Sequence, residues 1–150
     1  MGGFALDTFL PYQLAVVARR VSLEYSKLYQ QRFGISIPEW RVVAHLSQAG
    51  AVSVREIHDR VDMDKSKVSR AAARLEQNGY IQKTTSATDR RLVELRLTDK
   101  GEAMVRELTP IAQAFEADVM RRIGDDALAF RAGLETLMHS NDEDSHVKGQ

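Results

Sequence analysis

Three helix-start signals between residues 36 and 64 constrain the fold more than any other feature of this sequence. Ser36-Ile37-Pro38-Glu39 and Ser53-Val54-Arg55-Glu56 have the Ser-x-x-Glu form of a capping box, in which the two side chains satisfy free backbone N–H groups where a helix begins. Asp64 precedes a third segment of helical periodicity and can accept the same kind of bond. The sequence therefore predicts three successive helices, of which the first ends near Gln48 and the last covers about 65–78.

The last two of these helices are separated only by a short turn, Val61 to Asp64. In the last helix, apolar residues at helical spacing predict a face that packs inward, namely Val68, Ala71, Ala72 and Leu75. Asn78-Gly79 then supplies the left-handed residue that commonly ends a helix. The pattern is that of a helix-turn-helix unit.

After Gly79 the pattern changes to that of strands. Residues 80–84 have the composition of a strand, and residues 92–97 alternate between apolar and polar. The loop between them is polar and ends with Asp89, Arg90 and Arg91. We therefore expect a β-hairpin whose loop projects as a wing.

Long amphipathic segments flank this core. The first covers about 7–35 and has apolar residues three and four apart, namely Leu14, Val17, Val21, Tyr25 and Leu28. The second covers about 99–139, and Pro110 is expected to kink or split it before a last helix from about Asp125 to Met138. The tail 140–150 is expected to be disordered.

One domain of 1–150 cannot cover both apolar stripes alone, so we expect a homodimer.

Composition excludes several classes of function. The 150 residues include 21 basic and 21 acidic side chains, so a nucleic-acid partner would have to meet a local positive charge. The absence of cysteine excludes disulfides, thiolate metal sites, thiol catalysis and thiol redox sensing. No apolar run approaches the length of a membrane span and no signal peptide is recognisable, so we expect a cytoplasmic protein without membrane contact.

The last helix of the helix-turn-helix unit has a charge of one sign. Its basic residues are Lys65, Lys67, Arg70 and Arg74. No acidic residue follows Asp64 until Glu76. Helical geometry places Ser66 and Arg70 opposite the apolar face and Ser69 beside them. Such a face suits the major groove of DNA, where arginine binds guanine through two hydrogen bonds, although a solvated basic face is the alternative on this pattern alone.

The segment from Pro38 to Gly101 resembles the winged-helix core of the MarR family, the multiple-antibiotic-resistance regulators. Three motifs carry the resemblance, namely PEWRVVAHL at 38–46, VREIHDRVDMDKSKVSRAAARLEQNGYI at 54–81 and TDRRLVELRLTDKG at 88–101. The resemblance implies a mainly α fold with a small β-hairpin wing, in which a winged helix-turn-helix core at about 36–98 lies between N- and C-terminal dimerisation helices. It also implies a homodimeric repressor that binds a near-palindromic DNA operator with half-sites about one helical turn apart.

The resemblance and the charge pattern of the helix and the loop together suggest roles for individual residues. Ser66, Ser69 and Arg70 are expected to contact bases. Phosphate or minor-groove contacts are expected from Lys65, Lys67, Arg74, Arg90 and Arg91. Asp89 is expected to brace the wing, because a carboxylate is repelled by phosphate but can hold a neighbouring arginine.

Many members of the family release DNA when a small aromatic or phenolic ligand binds between the dimerisation helices and the DNA-binding core. The candidates to line such a pocket here are Tyr12, Arg19, Trp40 and His45. Arg19 could hold a carboxylate. The alternative is a core position for Trp40 and a surface or interface position for Tyr12 and Arg19.

No motif predicts an enzyme. The sequence lacks a Gly-rich phosphate loop, a His-Glu-x-x-His motif and a Gly-x-Ser-x-Gly motif, so we predict no catalytic residue and no cofactor. His58, Asp59 and Asp62 are spaced so that they do not converge on one ion, and we predict no metal site. The remaining alternative is a winged-helix module that acts through protein contacts without binding DNA.

Overall fold

The computed structural model describes residues 3–61, 63–89 and 93–147, and side chains up to residue 140. The elements in chain order are α1 (Leu10–Phe33), α2 (Ile37–Ala49), β1 (Val52–Ser53), α3 (Val54–Arg60), α4 (Lys65–Gln77), β2 (Ile81–Thr85), β3 (Val93–Leu97), α5 (Asp99–Ile123) and α6 (Ala127–Val147). Short 3-10 helices precede α1 and α6. The described part of the chain is mainly helical with a small antiparallel sheet, which confirms the predicted fold class.

The serine half of each predicted capping box is confirmed at the starts of α2 and α3. The Ser36 hydroxyl accepts the Glu39 N–H at 3.3 Å, and the Ser53 hydroxyl accepts the Glu56 N–H at 3.1 Å. The Ser36 hydroxyl also donates to the Glu39 carboxylate at 2.9 Å, which satisfies one oxygen of a buried side chain. Because each of these bonds is local, neighbouring residues alone define where the two helices begin.

The predicted hairpin is present, and a third strand joins it. β2 and β3 pair antiparallel, with Ile81 opposite Leu97, and β3 also pairs with β1, where Val52 lies opposite Leu95. The sheet order β1-β3-β2 makes β3 the central strand, and its Leu95 is fully buried. β1 was not predicted because a strand of two residues has no periodicity to recognise.

The hydrophobic core lies where α2 and α4 pack against each other and the sheet. All four residues predicted to form the inward face of α4 are buried. The other buried apolar residues come from α1 to α3, the sheet, α5 and the connecting segments, and include Tyr29, Ile35, Val42, Val43, Leu46, Ile57, Leu95, Met104 and Leu108. This core positions α4, the helix on which the predicted functional residues lie.

The chain divides into two compact units, Met1–Ile111 and Ala112–Gln150. α5 crosses the boundary as an unbroken helix with Pro110 inside it, so the helix does not split there. Beside the proline, the Thr109 hydroxyl donates to the Val105 carbonyl at 2.7 Å. This bond adds a donor to the turn in which the proline nitrogen cannot donate.

The C-terminal helix is longer than predicted. α6 ends at Val147 rather than near Met138, so it continues into the segment 140–150 that was expected to be a disordered tail. No glycine or proline occurs between Leu134 and Val147, so the two residue types that most disfavour a helix are absent from this stretch. Within this second unit, Arg131 of α6 pairs with Glu116 of α5 at 3.0 Å.

α1 leaves much of its apolar surface uncovered. Its exposed large apolar residues are Leu10, Val17, Leu23 and Leu28. The uncovered stripe agrees with the expectation that this helix packs against a further partner. Among the described residues, no helix is long and apolar enough to cross a membrane.

Gly101, in the first turn of α5, allows a close approach that alanine would prevent. A Cβ atom at this position would stand 2.1 Å from the carbonyl oxygen of Tyr80, and a backbone oxygen cannot move aside as a flexible side chain can. We expect Gly101→Ala to lower the free energy of unfolding by about 1–3 kcal/mol, measured by urea denaturation.

Gly133 provides the matched control. It lies in α6, and an added Cβ would have no neighbour within 4 Å. Gly133→Ala should therefore raise the free energy of unfolding by about 0.5–1 kcal/mol, because alanine is the better helix former. Changes of the same sign in the two variants would contradict the close approach at Gly101.

Candidate nucleic-acid interface

Asp64 holds the first turn of α4. Its carboxylate oxygen Oδ1 accepts the backbone N–H of Ser66 at 2.9 Å and that of Lys67 at 3.2 Å. The Ser66 hydroxyl donates to the same oxygen at 2.6 Å. These bonds to the charged form, the Ser66 hydroxyl first and the Lys67 N–H second, lower the pKa of the Asp64 carboxyl below its ordinary value. The carboxylate is therefore ionised at neutral pH and caps the helix as predicted.

The face of α4 opposite the core is exposed and basic. Val68 and Leu75 are fully buried, which turns the opposite side of the helix toward solvent. All six residues assigned to DNA contact on this helix are exposed, namely Lys65, Ser66, Lys67, Ser69, Arg70 and Arg74. The structure thus brings the helical half of the predicted site together on one side of one helix.

Ser66 has a structural task that the sequence did not reveal. Its hydroxyl hydrogen is directed at the Asp64 carboxylate, so in this structure Ser66 does not present that hydrogen to a partner in solution. Only its oxygen lone pairs stay available to accept a bond. Ser69 and Arg70, one turn further along, are accordingly better placed than Ser66 to donate to base edges.

The wing turn is organised by a buried serine. Ser86 is 4% exposed, and its hydroxyl oxygen accepts the backbone N–H groups of Thr88 at 3.3 Å and Asp89 at 3.4 Å. The Thr88 and Ser86 hydroxyls also lie 3.1 Å apart. Asp89 therefore has its backbone tied into the turn, while Arg90 and Arg91 lie outside the described residues and their wing role stays a prediction.

A cleft of about 380 Å³ opens between α1 and α2. Its lining residues are Ala18, Arg19, Ser22, Leu23, Ile37 and Arg41. Two arginines and several apolar residues thus line one concave surface. This combination can hold a planar apolar group that bears a carboxylate, because arginine binds carboxylates in a forked geometry.

Arg19 is the only one of the four predicted pocket residues among those that line this cleft. Trp40 instead belongs to an aromatic cluster in which its ring stacks on Tyr29 at 5.5 Å between centroids and meets Tyr25 edge-on at 5.4 Å. Burial raises the pKa of Tyr25 and of Tyr29 to about 12, so both phenols are neutral. Tyr12 is exposed on the first turn of α1.

His45 lies on α2 beyond the cleft. Burial lowers the pKa of this histidine, and the positive charge of Arg60 lowers it further. The ring is therefore neutral at pH 7 and does not add a positive charge for an acid to bind. Among the described residues, no group of three His, Asp or Glu side chains is arranged to hold a metal ion.

Arg41 lines the cleft but was not predicted from the sequence as a pocket residue. It follows Trp40 in the motif PEWRVVAHL, and a basic residue directly before the apolar pair Val42-Val43 was a signal that could have been used. The signal did not suffice because the cleft depends on how α1 packs against α2. Sequence periodicity predicts which face of each helix is buried, but it does not predict which other helix packs against that face.

Comparison with known proteins shows that the winged-helix core is similar to one family. Residues 35–93 match the model of the MarR family. The HTH-type transcriptional repressor MdtR of Bacillus subtilis is 35% identical over 78 residues, which cover 52% of this chain and 50% of the relative. The HTH-type transcriptional regulator BilQ of Clostridioides difficile is 32% identical over 73 residues, 49% of each protein. The match to these two curated relatives thus spans about half of their length.

The likeness in fold extends beyond the matched core. The crystal structure of a MarR/EmrR family transcriptional regulator from Acinetobacter sp. ADP1 has a TM-score of 0.80 to this chain at 28% identity. The superposition covers 93% of this chain and 99% of that one. The flanking helices therefore belong to the shared fold together with the winged-helix core.

Asp64→Ala is expected to lower the melting temperature at pH 7, because it removes the acceptor for two backbone N–H groups of α4. The pKa of Asp64 is lower in the folded protein than its ordinary value of 3.8. The stabilisation is therefore complete above that value and is lost as the pH falls through the folded pKa. The difference in melting temperature between wild type and variant should be constant from pH 7 to about 5 and shrink below pH 4 or so.

Asp59→Ala removes the same charge from the exposed side of α3 and serves as the control. It should leave the melting temperature almost unchanged, and Asp64→Asn should keep only the part of the cap that does not depend on the charge, without the pH dependence of wild type. If the Asp64→Ala difference persisted undiminished at low pH, the carboxylate would not be the capping group.

Proposed function

Because residues 35–93 of this chain match the model of the MarR family, we propose that the chain is a member of that family and a sequence-specific DNA-binding transcriptional regulator that acts as a homodimer. The single observation that carries the proposal is the exposed face of α4, where basic and hydroxyl side chains lie opposite a fully buried apolar face. No acidic residue interrupts this face between Lys65 and Leu75. A helix of this kind at the second position of a helix-turn-helix unit fits the major groove.

The exposed residues of α4 divide into two kinds of contact. Arg70 lies centrally on the exposed face and binds a guanine through its O6 and N7 atoms, while Ser69 contacts a neighbouring base. Lys65, Lys67 and Arg74 lie toward the edges and bind phosphates, as do Arg90 and Arg91 of the wing. Ser66 contributes through its lone pairs only, since its hydrogen is held by Asp64.

A second copy of this chain covers the apolar residues that α1 exposes. In the dimer, the two α4 helices enter successive major grooves about 34 Å apart, so the operator is an inverted repeat. MdtR is named a transcriptional repressor, and we propose the same direction of regulation here. No residue is proposed as catalytic, and the protein is proposed to act in the cytoplasm.

The cleft between α1 and α2 is proposed as the effector site. Its two arginines and its apolar wall suit an aromatic carboxylic acid that bears one negative charge. α2 also packs directly against α4, so a ligand that changes the position of α2 acts on the DNA-contacting helix. Such a ligand releases the DNA only to the extent that it binds the released form more tightly.

The division of contacts on α4 is tested by selecting bound sequences from a random double-stranded DNA pool, followed by affinity measurements over a range of salt concentrations. Arg70→Ala should cost about 1–3 kcal/mol on the selected site and relax the preference at one base pair. Lys67→Ala should weaken binding to all sequences alike and reduce the slope of log affinity against log salt by about 1.

Arg106→Ala, an exposed arginine on α5, is the control for Arg70→Ala and should change neither quantity. Equal behaviour of the Arg70 and Lys67 variants would contradict the proposed division. A folded wild-type protein that selects no sequence would favour the alternative, a winged-helix module that acts through protein contacts.

The effector site is tested by titrating benzoate and hydroxybenzoates into the protein and its DNA complex. At about 100 times the dissociation constant a ligand stabilises the folded form by about 2.7 kcal/mol, which raises the melting temperature of a chain of this size by roughly 5–10 °C. Arg41→Gln should abolish that rise. Arg20→Gln, which removes an arginine adjacent to the cleft but not lining it, should retain the rise.

An acid that stabilises wild type and Arg41→Gln equally binds elsewhere, and the cleft would then not be the effector site. No change in melting temperature or DNA affinity with any of the acids would remove aromatic acids as the effector class.

A further inference from the structure

The end of α4 is tied to the beginning of α5 by three consecutive backbone carbonyls. The Asn78 carbonyl accepts from the Lys100 ammonium at 2.7 Å, and the Gly79 carbonyl accepts from the Thr98 hydroxyl at 2.5 Å. The Tyr80 carbonyl accepts from the Thr98 backbone N–H at 3.0 Å. Every residue in the connection that leaves α4 is therefore held by the segment that begins α5. We refer to these contacts as the α4–α5 tie.

The tie begins where α4 itself is rigidly terminated. Gly79 has a φ of 81°, its N–H donates to the Glu76 carbonyl, and the Tyr80 N–H donates to the Leu75 carbonyl at 2.9 Å. This pair of bonds is the Schellman arrangement, in which a left-handed glycine closes a helix. Because its N–H groups are bonded to α4 and its carbonyls to residues 98–100, the 78–80 connection cannot move independently of either helix.

The charge of Lys100 is favourable at the end of α4 and unfavourable in its own helix, α5. It lies in the first turn of α5, where the helix dipole disfavours a positive charge. Its ammonium group reaches the C-terminal end of α4, where the helix dipole favours a positive charge. The ammonium also lies 4.5 Å from the centre of the Tyr80 ring. The side chain thus makes its favourable interactions with the end of the DNA-contacting helix.

Thr98 and Gly101 complete the tie on the α5 side. The Thr98 hydroxyl accepts the Gly101 N–H at 3.1 Å while it donates to Gly79, so one oxygen links both helices. The absence of a Cβ atom at Gly101 lets α5 approach the Tyr80 carbonyl directly. Backbone and short side chains make the contact, which leaves little freedom for the angle between α4 and α5 to change.

We propose that Thr98 and Lys100 are positioning residues that set the direction of α4 relative to α5 and thereby determine which half-site spacing the protein accepts. This inference rests on the proposed function, because spacing has a meaning only for a dimer that binds two half-sites. One inserted base pair rotates one half-site by roughly 35° against the other, and only a fixed α4 can discriminate against such a rotation. Neither residue contacts DNA in this proposal.

The experiment compares operators that carry the selected half-sites at the selected spacing, or with one base pair added or removed. We expect wild type to prefer the selected spacing by about 10-fold or more. The Thr98→Val, Lys100→Met double variant removes both side-chain donors with little change in volume, and its preference should fall to about threefold or less. Thr98→Ser, Lys100→Arg retains the donors and should restore the wild-type preference.

Lys27→Met, an exposed charge on α1, is the charge-matched control and should leave the spacing preference unchanged. The slope of log affinity against log salt should be the same in the double variant as in wild type, because no phosphate contact is removed. If the double variant does not fold, the single Lys100→Met variant carries the same comparison.

A double variant with a lower melting temperature and an unchanged spacing preference would overturn the inference, since the tie would then contribute to stability alone. A reduced salt slope would also overturn it, because Lys100 would then be a phosphate contact. If wild type selects no inverted repeat, the proposed function is overturned, and this inference with it. The spacing preference of the double variant is measured only if wild type selects an inverted repeat, so the two failures are distinguishable.

Discussion

The structure depends on the burial of one face of α4. Val68 and Leu75 are completely inaccessible to solvent, and they lie on the opposite side of the helix from Arg70. Turning α4 by one residue about its axis would move Val68 out of the core and turn charged side chains toward it, which costs several kcal/mol. The helix therefore has one stable rotational setting. The basic face results from apolar packing on the other side, and its orientation does not depend on DNA being present.

Local charge, not net charge, makes this chain suitable for a polyanion. The formal net charge is zero, yet every charged side chain of α4 from Lys65 to Arg74 is basic and exposed. At physiological ionic strength a charge acts over about 8 Å, so a segregated surface can attract phosphate while the molecule as a whole is neutral. Asp64 is the acidic residue adjacent to this face, and the N–H groups and hydroxyl that surround its carboxylate offset its charge. The first turn of α4 thus gains a cap at little electrostatic cost to anion binding.

Features that neighbouring residues determine were predictable from the sequence, and features that arise from packing were not. The starts of α2, α3 and α4 were predicted because Ser36, Ser53 and Asp64 bond to backbone groups only two or three residues away. The inward face of α4 was predicted because periodicity is intrinsic to a helix. β1 exists only because β3 offers it an edge, and the role of Arg41 exists only because α1 packs near α2. The tie at Lys100 was invisible for the same reason, since 22 residues separate it from its acceptor.

The contacts of α2 and α5 indicate how a ligand between α1 and α2 would act on α4. Arg41 lines the cleft, and Val42 and Val43, the next residues of α2, are fully buried in the core against which α4 packs. A close-packed core cannot accommodate a shift of one helix without movement of its neighbours, so movement of α2 also moves α4. The α4–α5 tie then prevents α4 from moving alone, because Asn78, Gly79 and Tyr80 are held by residues 98–100. A change at the cleft must therefore either move α4 together with the first turn of α5 or break the tie. The first route preserves every hydrogen bond and changes the direction of both helices together, so it is the less costly of the two.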